Sequence, residues 1–337
     1  MQPTVSSFGE HALIERITKR LVMPPWVIVG PGDDAAVFEP ERGALEVMTT
    51  DAQIEGIHFD RRFVPPDAIG HRALAVNLSD LAAMGARPRA ALLSLALPDA
   101  LTVDAVDAML DGLLGLAARH GVTIIGGNIT RSLRDMMIDV TAIGSVHRRR
   151  ILRRAGARPG DDVYVTGAVD DVTLELRALQ SWVDGPGAAE APAAGATARY
   201  LRPEPRVRAG LLLGRNRAAS SCVDLSDGLA DGVRQLASAS AVGITIDSAA
   251  VPVGGAVQAA VLTEGPAALL AAIRGGDDYE LLFTARPSHR GRLRAVRQQL
   301  GDLALTKIGV VTKAQELRIT AADGTSLEMP PGFEHFR

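Results

Sequence analysis

The tripeptide Leu-Ser-Asp occurs twice in the 337-residue chain, in "NLSDLAAM" at 77–84 and "DLSDGLAD" at 224–231, each time where a polar stretch meets an apolar pattern of helical period. Serine and aspartate side chains accept the free amide hydrogens of a first helical turn, so each copy predicts a helix start. Capping does not account for the other aspartates. In "GPGDDAAVF", Asp33 and Asp34 follow Gly30 and Gly32, and "TTD" sets Thr49, Thr50 and Asp51 at the end of a predicted strand. Asp80 and Asp227 open the two predicted helices, Asp224 lies three residues before the second, and "RGGDDYELLF" places Asp277 and Asp278 between a Gly pair and a strand-like run. Any one of these could be a turn former. Five acidic clusters at element ends predict one metal-rich cleft, with the two Leu-Ser-Asp helix starts facing it from different halves of the chain.

Those halves read as an α+β alternation. "EHALIERITKRL" puts Leu13, Ile14, Ile17 and Leu21 on one helical face. "LEVMTTD", "AALLSLALP" and "MMIDVTAIGSV" predict strands, and between the last two lies an amphipathic helix from Thr102 to Arg119, with Thr102 as its cap and Gly121 at its close. The Pro-Gly turn in "ILRRAGARPGDDVYVTGAV" puts a domain boundary near residue 150, giving domains 1–150 and 151–337. Residues 183–200 are rich in Gly, Ala and Pro and predict a mobile surface loop.

Composition removes whole classes of function. A formal charge of −3 argues against nucleic-acid binding, which needs a clear basic excess. The one cysteine, Cys222, excludes a disulfide scaffold and a cysteine-based zinc site. The N-terminus has no apolar signal core and no stretch has the length of a membrane span, so a cytoplasmic protein is expected.

Gathered carboxylates must be neutralised. Two of them about 4 Å apart repel by roughly 4 kcal/mol at an effective dielectric near 20. Magnesium suits such a site, since it prefers hard oxygen ligands and commonly joins a few carboxylates to substrate phosphates. Nucleotide phosphoryl transfer is the implied chemistry. No GxxxxGK[ST] loop holds the phosphates, because Lys19, Lys307 and Lys313 lie in unrelated contexts, and no protein-kinase signature is present.

The series "GDDAAVF", "TTDAQIEGIHF", "ALAVNLSDLAAMGARP", "LRPEPRV", "DLSDGLADG" and "GGDDYELLF" resembles that of the thiamine-monophosphate kinases, members of the superfamily that includes aminoimidazole ribonucleotide synthetase. The similarity runs from about Gly9 to Phe336. It implies ATP-dependent phosphorylation of thiamine monophosphate to thiamine diphosphate with several Mg2+ ions. It also implies a two-domain α+β fold and a homodimer whose N-terminal sheets join in a shared barrel, each followed by an α/β domain. The N-terminal domain would then serve metal and ATP binding and dimerisation. Carried over by position, Asp34, Thr49, Thr50, Asp51, Asp80, Asn128, Asp224 and Asp227 are implied metal ligands, some through backbone oxygen, with Asp80 and Asp227 at the catalytic centre. Asn128, Arg154 and Ser226 are implied ATP contacts. His58, Asp277 and Phe333 are implied at the substrate.

Two stretches depart from the family pattern. "GGNIT" has Asn128 where the family has an aspartate, which keeps an oxygen but loses a charge. "VTGAVDDVTLEL" has Asp170 and Glu175 at glycine positions and Val172 at a serine. Alternatives left open are a paralogue acting on another small phosphate ester and a catalytically silent nucleotide or thiamine-phosphate binder. The cysteine, selenocysteine and lysine features of the selenophosphate and hydrogenase-maturation branches are missing.

Overall fold

The computed structural model describes residues 2–169, 172–185, 197–264, 266–321 and 323–332. The chain divides into two compact units, one of residues 1–81 with 87–147, the other of 82–86 with 148–337.

Unit 1 begins with α1 (Val5–Phe8) and α2 (Glu10–Thr18), followed by β1 (Val27–Val29) and β2 (Val37–Phe38), which pair antiparallel. Then come β3 (Leu45–Ile54), α3 (Pro66–Ala83), β4 (Arg87–Pro98), α4 (Val103–His120), β5 (Thr123–Ser132) and β6 (Met137–Val146). The four long strands form a sheet of order β3-β6-β4-β5, in which only β4 and β5 run parallel, joined by the α4 crossover. As expected, Thr102 caps α4 through its side chain and Gly121 closes it in the left-handed region. β5 was not anticipated, because the Gly126-Gly127 pair at its centre reads as a turn. A Cβ at Gly127 would lie 1.9 Å from the Leu93 carbonyl oxygen, so close strand packing explains that glycine.

Alternation gives this sheet two unlike faces. Leu93, Leu95 and Leu97 of β4 and Ile138, Val140 and Ala142 of β6 are buried on one face, on which α3 and α4 supply Leu74, Leu78, Leu81, Val106, Leu110 and Leu113. The helices cross closely, for a Cβ at Gly112 would lie 1.7 Å from the Asp67 carbonyl oxygen. The opposite face is covered at one end by the β1-β2 region, where Trp26, Val27 and Phe38 pack against Ala90, Ile125 and Ile143. Elsewhere Met48 remains 65% and Leu92 36% exposed.

Unit 2 contains β7 (Asp162–Thr166), α5 (Val172–Asp184), α6 (Ala198–Leu201), α7 (Val207–Asn216), β8 (Ser221–Asp224), α8 (Leu229–Ser240) and β9 (Gly243–Asp247). It continues with α9 (Gly255–Glu264), α10 (Pro266–Arg274), β10 (Leu281–Ala285), α11 (Arg290–Leu300), β11 (Leu305–Thr312), β12 (Leu317–Thr320) and β13 (Ser326–Glu328). The sheet order is β13-β12-β9-β11-β7-β10-β8, and every described ladder but β9-β12 is antiparallel. Its core joins Val163 and Val165 of β7 to Val233 and Leu236 of α8 and Ile244 and Ile246 of β9. The ends of the expected 183–200 loop are helical, with Tyr200 of α6 only 2% exposed, while 186–196 lie outside the described residues.

No helix among the described residues is long and apolar enough to cross a membrane.

Candidate phosphoryl-transfer site residues

The doubled Leu-Ser-Asp does not mark two helix starts. Leu78, Ser79 and Asp80 lie in the last two turns of α3 (Pro66–Ala83), which starts at Pro66 with Asp67 in its first turn. Pro at the first helical position and an early acid are the true start signals, and the polar letters Asn77 and Ser79 mislead because both are fully buried. The second copy sits in the loop after β8. Its helix, α8, opens at Leu229 with Gly228 as cap residue and no side-chain cap bond. Neither aspartate is therefore a cap.

In unit 1, strand alternation sorts the "TTD" residues. Thr49 and Asp51 share the β3 face that meets α3, and the Thr49 hydroxyl donates a hydrogen bond to Asp80 Oδ2. Thr50 faces the other way, where its hydroxyl donates to Asp139 Oδ1 at 3.0 Å and lies 3.1 Å from that of Thr141. That face borders a cavity of about 820 Å³ whose walls include Asp33, Asp34, Ser94, Asn128, Asp139 and Thr141. Asp34 is exposed, and its backbone amide donates to Asp33 Oδ1 at 2.8 Å.

Asp139 is a site candidate that the sequence reading missed. It pairs with Ser94, and Ser94 pairs with Asn128, so the three stand in one row across β6, β4 and β5. A period-2 reading of "MMIDVTAIGSV" could have found it, since Asp139, Thr141 and Ser145 are polar at alternate positions of a largely apolar strand. The row puts a charge about two strand spacings, roughly 9–10 Å, from the neutral Asn128.

His58 Nδ1 accepts from the Ile54 amide at 3.1 Å, so the neutral ring carries its proton on Nε2.

In unit 2, two loops lock together by their backbones. The Asp277 amide donates to the Ser226 carbonyl at 2.7 Å, the Tyr279 amide to Leu225 at 3.0 Å, and the Leu225 amide to Glu280 at 2.8 Å. Asp224 ends β8 opposite Leu281. The structure thus brings Asp224, Ser226, Asp227 and Asp277 onto adjoining loops. The contact is tight enough to require glycine at 228, with φ +87° and a would-be Cβ 2.0 Å from the Gly275 carbonyl oxygen. Asp277 and Tyr279 take φ of 67° and 51°, uncommon for residues with side chains, and the Tyr279 hydroxyl donates to Asp277 Oδ1 at 2.7 Å.

Beneath these loops Glu280 is fully buried, accepting from Arg206 at 2.7 and 2.5 Å and from the Thr166 hydroxyl at 2.6 Å. An ion pair thereby ties "LRPEPRV" to "GGDDYELLF". Glu175 accepts from the Tyr200 amide at 2.7 Å, so its carboxylate is used inside the unit. Arg154 is exposed, and its carbonyl accepts from Ser240 at 3.3 Å. Burial, reinforced by the Asp224 charge, pushes the Cys222 thiol far above its usual range, so it is held protonated. Phe333 and the Asp170-Asp171 pair lie outside the described residues.

The donors are oxygens of Asp, Thr, Ser and Asn, which suit a hard cation. Among the described residues no three His, Cys, Asp or Glu side chains form a group that could hold a metal ion by themselves. Magnesium does not need such a cage, since it usually keeps several waters and binds one or two carboxylates together with substrate phosphates.

A two-unit chain with these oxygen-lined sites finds its class in the domain families. The family models "AIR synthase related protein, N-terminal domain" and "AIR synthase related protein, C-terminal domain" match residues 32–146 and 158–322. The thiamine-monophosphate kinase of Escherichia coli (strain K12) is 38% identical over 97% of this chain and 98% of its own length, and that of Bacillus subtilis is 34% identical over 97% and 99%. Of solved structures, the thiamine-monophosphate kinase of Stenotrophomonas maltophilia K279a superposes with TM-score 0.81 at 38% identity, covering 96% of this chain and 98% of that one. AaThiL complexed with AMPPCP and TMP does so with TM-score 0.75 at 31% identity, covering 98% of both. The chain belongs to the thiamine-monophosphate kinase family, within the AIR synthase related proteins.

Proposed function

We infer that this chain phosphorylates thiamine monophosphate to thiamine diphosphate with ATP. The observation that carries the reading is the near full-length similarity to kinases of that name, one of them complexed with AMPPCP and TMP, in a chain whose candidate residues are almost all oxygen donors.

In the reaction, an oxygen of the thiamine monophosphate phosphate forms a bond to the γ-phosphorus of ATP. The bond from that phosphorus to the β,γ-bridging oxygen breaks, and ADP leaves. The attacking oxygen is already anionic, so no strong general base is required; alignment and charge neutralisation dominate the barrier. Magnesium, when bound, would offset the charge of the phosphates. In unit 1 the ligands of such ions would be Thr49, Asp51 and Asp80 and, on the other sheet face, Asp34, Thr50 and Asn128; in unit 2 they would be Asp224 and Asp227. Ser226, Arg154 and Asn128 would meet the nucleotide. His58 would donate to the substrate from Nε2, with Asp277 and Phe333 at the same substrate. Strain at Asp277 and Tyr279 supports a working role for the 275–279 loop, because such conformations cluster at sites where the surroundings over-determine them.

The same proposal assigns residues 1–150 to metal and ATP binding and dimerisation, 151–337 to the second domain, and the protein to the cytoplasm. The exposed Met48 and Leu92 on the sheet of unit 1 support a second copy docking there, as a barrel shared by a homodimer would require.

Incubating the full chain with ATP, Mg2+ and thiamine monophosphate and resolving the products tests the reading. Thiamine diphosphate and ADP should appear in equal amounts. Binding of both substrates without product would leave a silent binder, and turnover only with another phosphate ester would identify a paralogue.

A further inference from the structure

Asn77 stands one turn before Asp80 on the same side of α3, since residues three apart are neighbours on a helix surface. Its side chain is fully buried. The Nδ2 group donates to the Ala73 carbonyl at 3.1 Å, while Oδ1 has no hydrogen-bond partner. The amide cannot simply be turned over, because that would press Oδ1 against the Ala73 carbonyl oxygen and strand two donors instead.

A second amide shows the same deficit. Gln53 lies two residues beyond Asp51 on the same face of β3, is 5% exposed, and its Oε1 is also without a partner. Two buried amide oxygens lacking donors therefore accompany the carboxylates of Asp51 and Asp80 on the β3 and α3 elements that Thr49 links. Buried acceptors are costly when unpaired, and what satisfies them is a donor or a cation. A magnesium ion brings both, since it retains bound waters whose hydrogens are strong donors.

We propose that Asn77 is a positioning residue for a hard divalent cation in unit 1, its Oδ1 accepting a hydrogen bond from a water of the ion held by Asp80, Asp51 and Thr49. The proposal rests on the magnesium reading given above. It predicts that Asn77 serves the loaded protein and burdens the empty one.

The test uses the full chain with Mg2+, both alone and with AMPPCP present, with affinity read by calorimetry and the Mg2+-dependent rise in Tm read in parallel. Asn77→Leu keeps the volume and removes the acceptor. It should weaken Mg2+ binding at least roughly tenfold and shrink the Tm rise, while the metal-free chain melts no lower than the wild type. Asn77→Asp keeps the shape; held protonated by burial, its carboxyl can donate from one oxygen to the Ala73 carbonyl and accept with the other, so it should bind Mg2+ about as tightly as the wild type. This second variant decides the matter if the leucine variant does not fold. Asp80→Asn separates the two levels of the argument. If Asp80→Asn weakens Mg2+ binding and Asn77→Leu does not, or if Asn77→Asp weakens it, the role of Asn77 is overturned and the magnesium reading stands. If the wild type and Asp80→Asn bind Mg2+ equally with and without AMPPCP, or neither binds it under either condition, the magnesium reading fails and the proposal falls with it.

Discussion

Leu78-Ser79-Asp80 and Leu225-Ser226-Asp227 share their letters and little of their surroundings. The first lies near the C-terminal end of an 18-residue helix, and the second is a loop held by backbone bonds to a neighbouring loop. Ser79 is fully buried and Ser226 exposed. Two features remain common. Both leucines are fully buried, and both aspartates are half-buried at the rim of the core. In each copy the leucine anchors the segment and the aspartate is held at the protein's edge. Nothing in this arrangement depends on helix capping.

The comparison breaks first at glycine. Gly228 follows the second aspartate and combines a positive φ with a near-contact to Gly275, so Gly228→Ala should cost about 3 kcal/mol or more, or prevent folding. Urea unfolding measures it. A loss below about 1 kcal/mol would show that the two loops are not locked.

The next largest effect concerns charge. Unit 2 has Asp224 and Asp227, whereas the cavity of unit 1 has the neutral Asn128 in its wall. Asn128→Asp should lower the Mg2+ concentration for half-maximal turnover about tenfold, equivalent to roughly 1.4 kcal/mol. If Asp139 already supplies that charge from across the row, the requirement will stay the same or rise, because added negative charge then goes uncompensated.

The smallest effect separates the serines. Ser79→Ala should lower stability by about 1 kcal/mol and leave the KM for ATP unchanged, while Ser226→Ala should raise that KM several-fold with Tm unaltered. The same response from both would mean that the copies are less different than their burial indicates.

Much of this was readable from the letters. Strands β3, β4 and β6 and the capped helix α4 followed from alternation, periodicity and Thr102. The starts of α3 and α8 were not, since "NLSD" carries the chemistry of a cap and only tertiary burial of Asn77 and Ser79 reveals that it lies within a helix. β5 was hidden by glycines needed for strand packing. Asp139 was hidden by the apolar strand around it, and the buried Arg206–Glu280 pair joins segments 74 residues apart that no local pattern connects. The acidic clusters were visible in the sequence, but only strand parity shows that Thr49 and Thr50 point to opposite faces.

The central claim is that the two aspartates serve phosphoryl transfer rather than the fold. Asp80→Asn and Asp227→Asn, each assayed for thiamine diphosphate formation and for unfolding free energy, test it together. Each exchange keeps the side chain's shape and removes one charge, so turnover should fall at least roughly 100-fold while stability changes by less than about 1 kcal/mol. Turnover that survives in either variant, or that falls only in step with stability, would contradict the account.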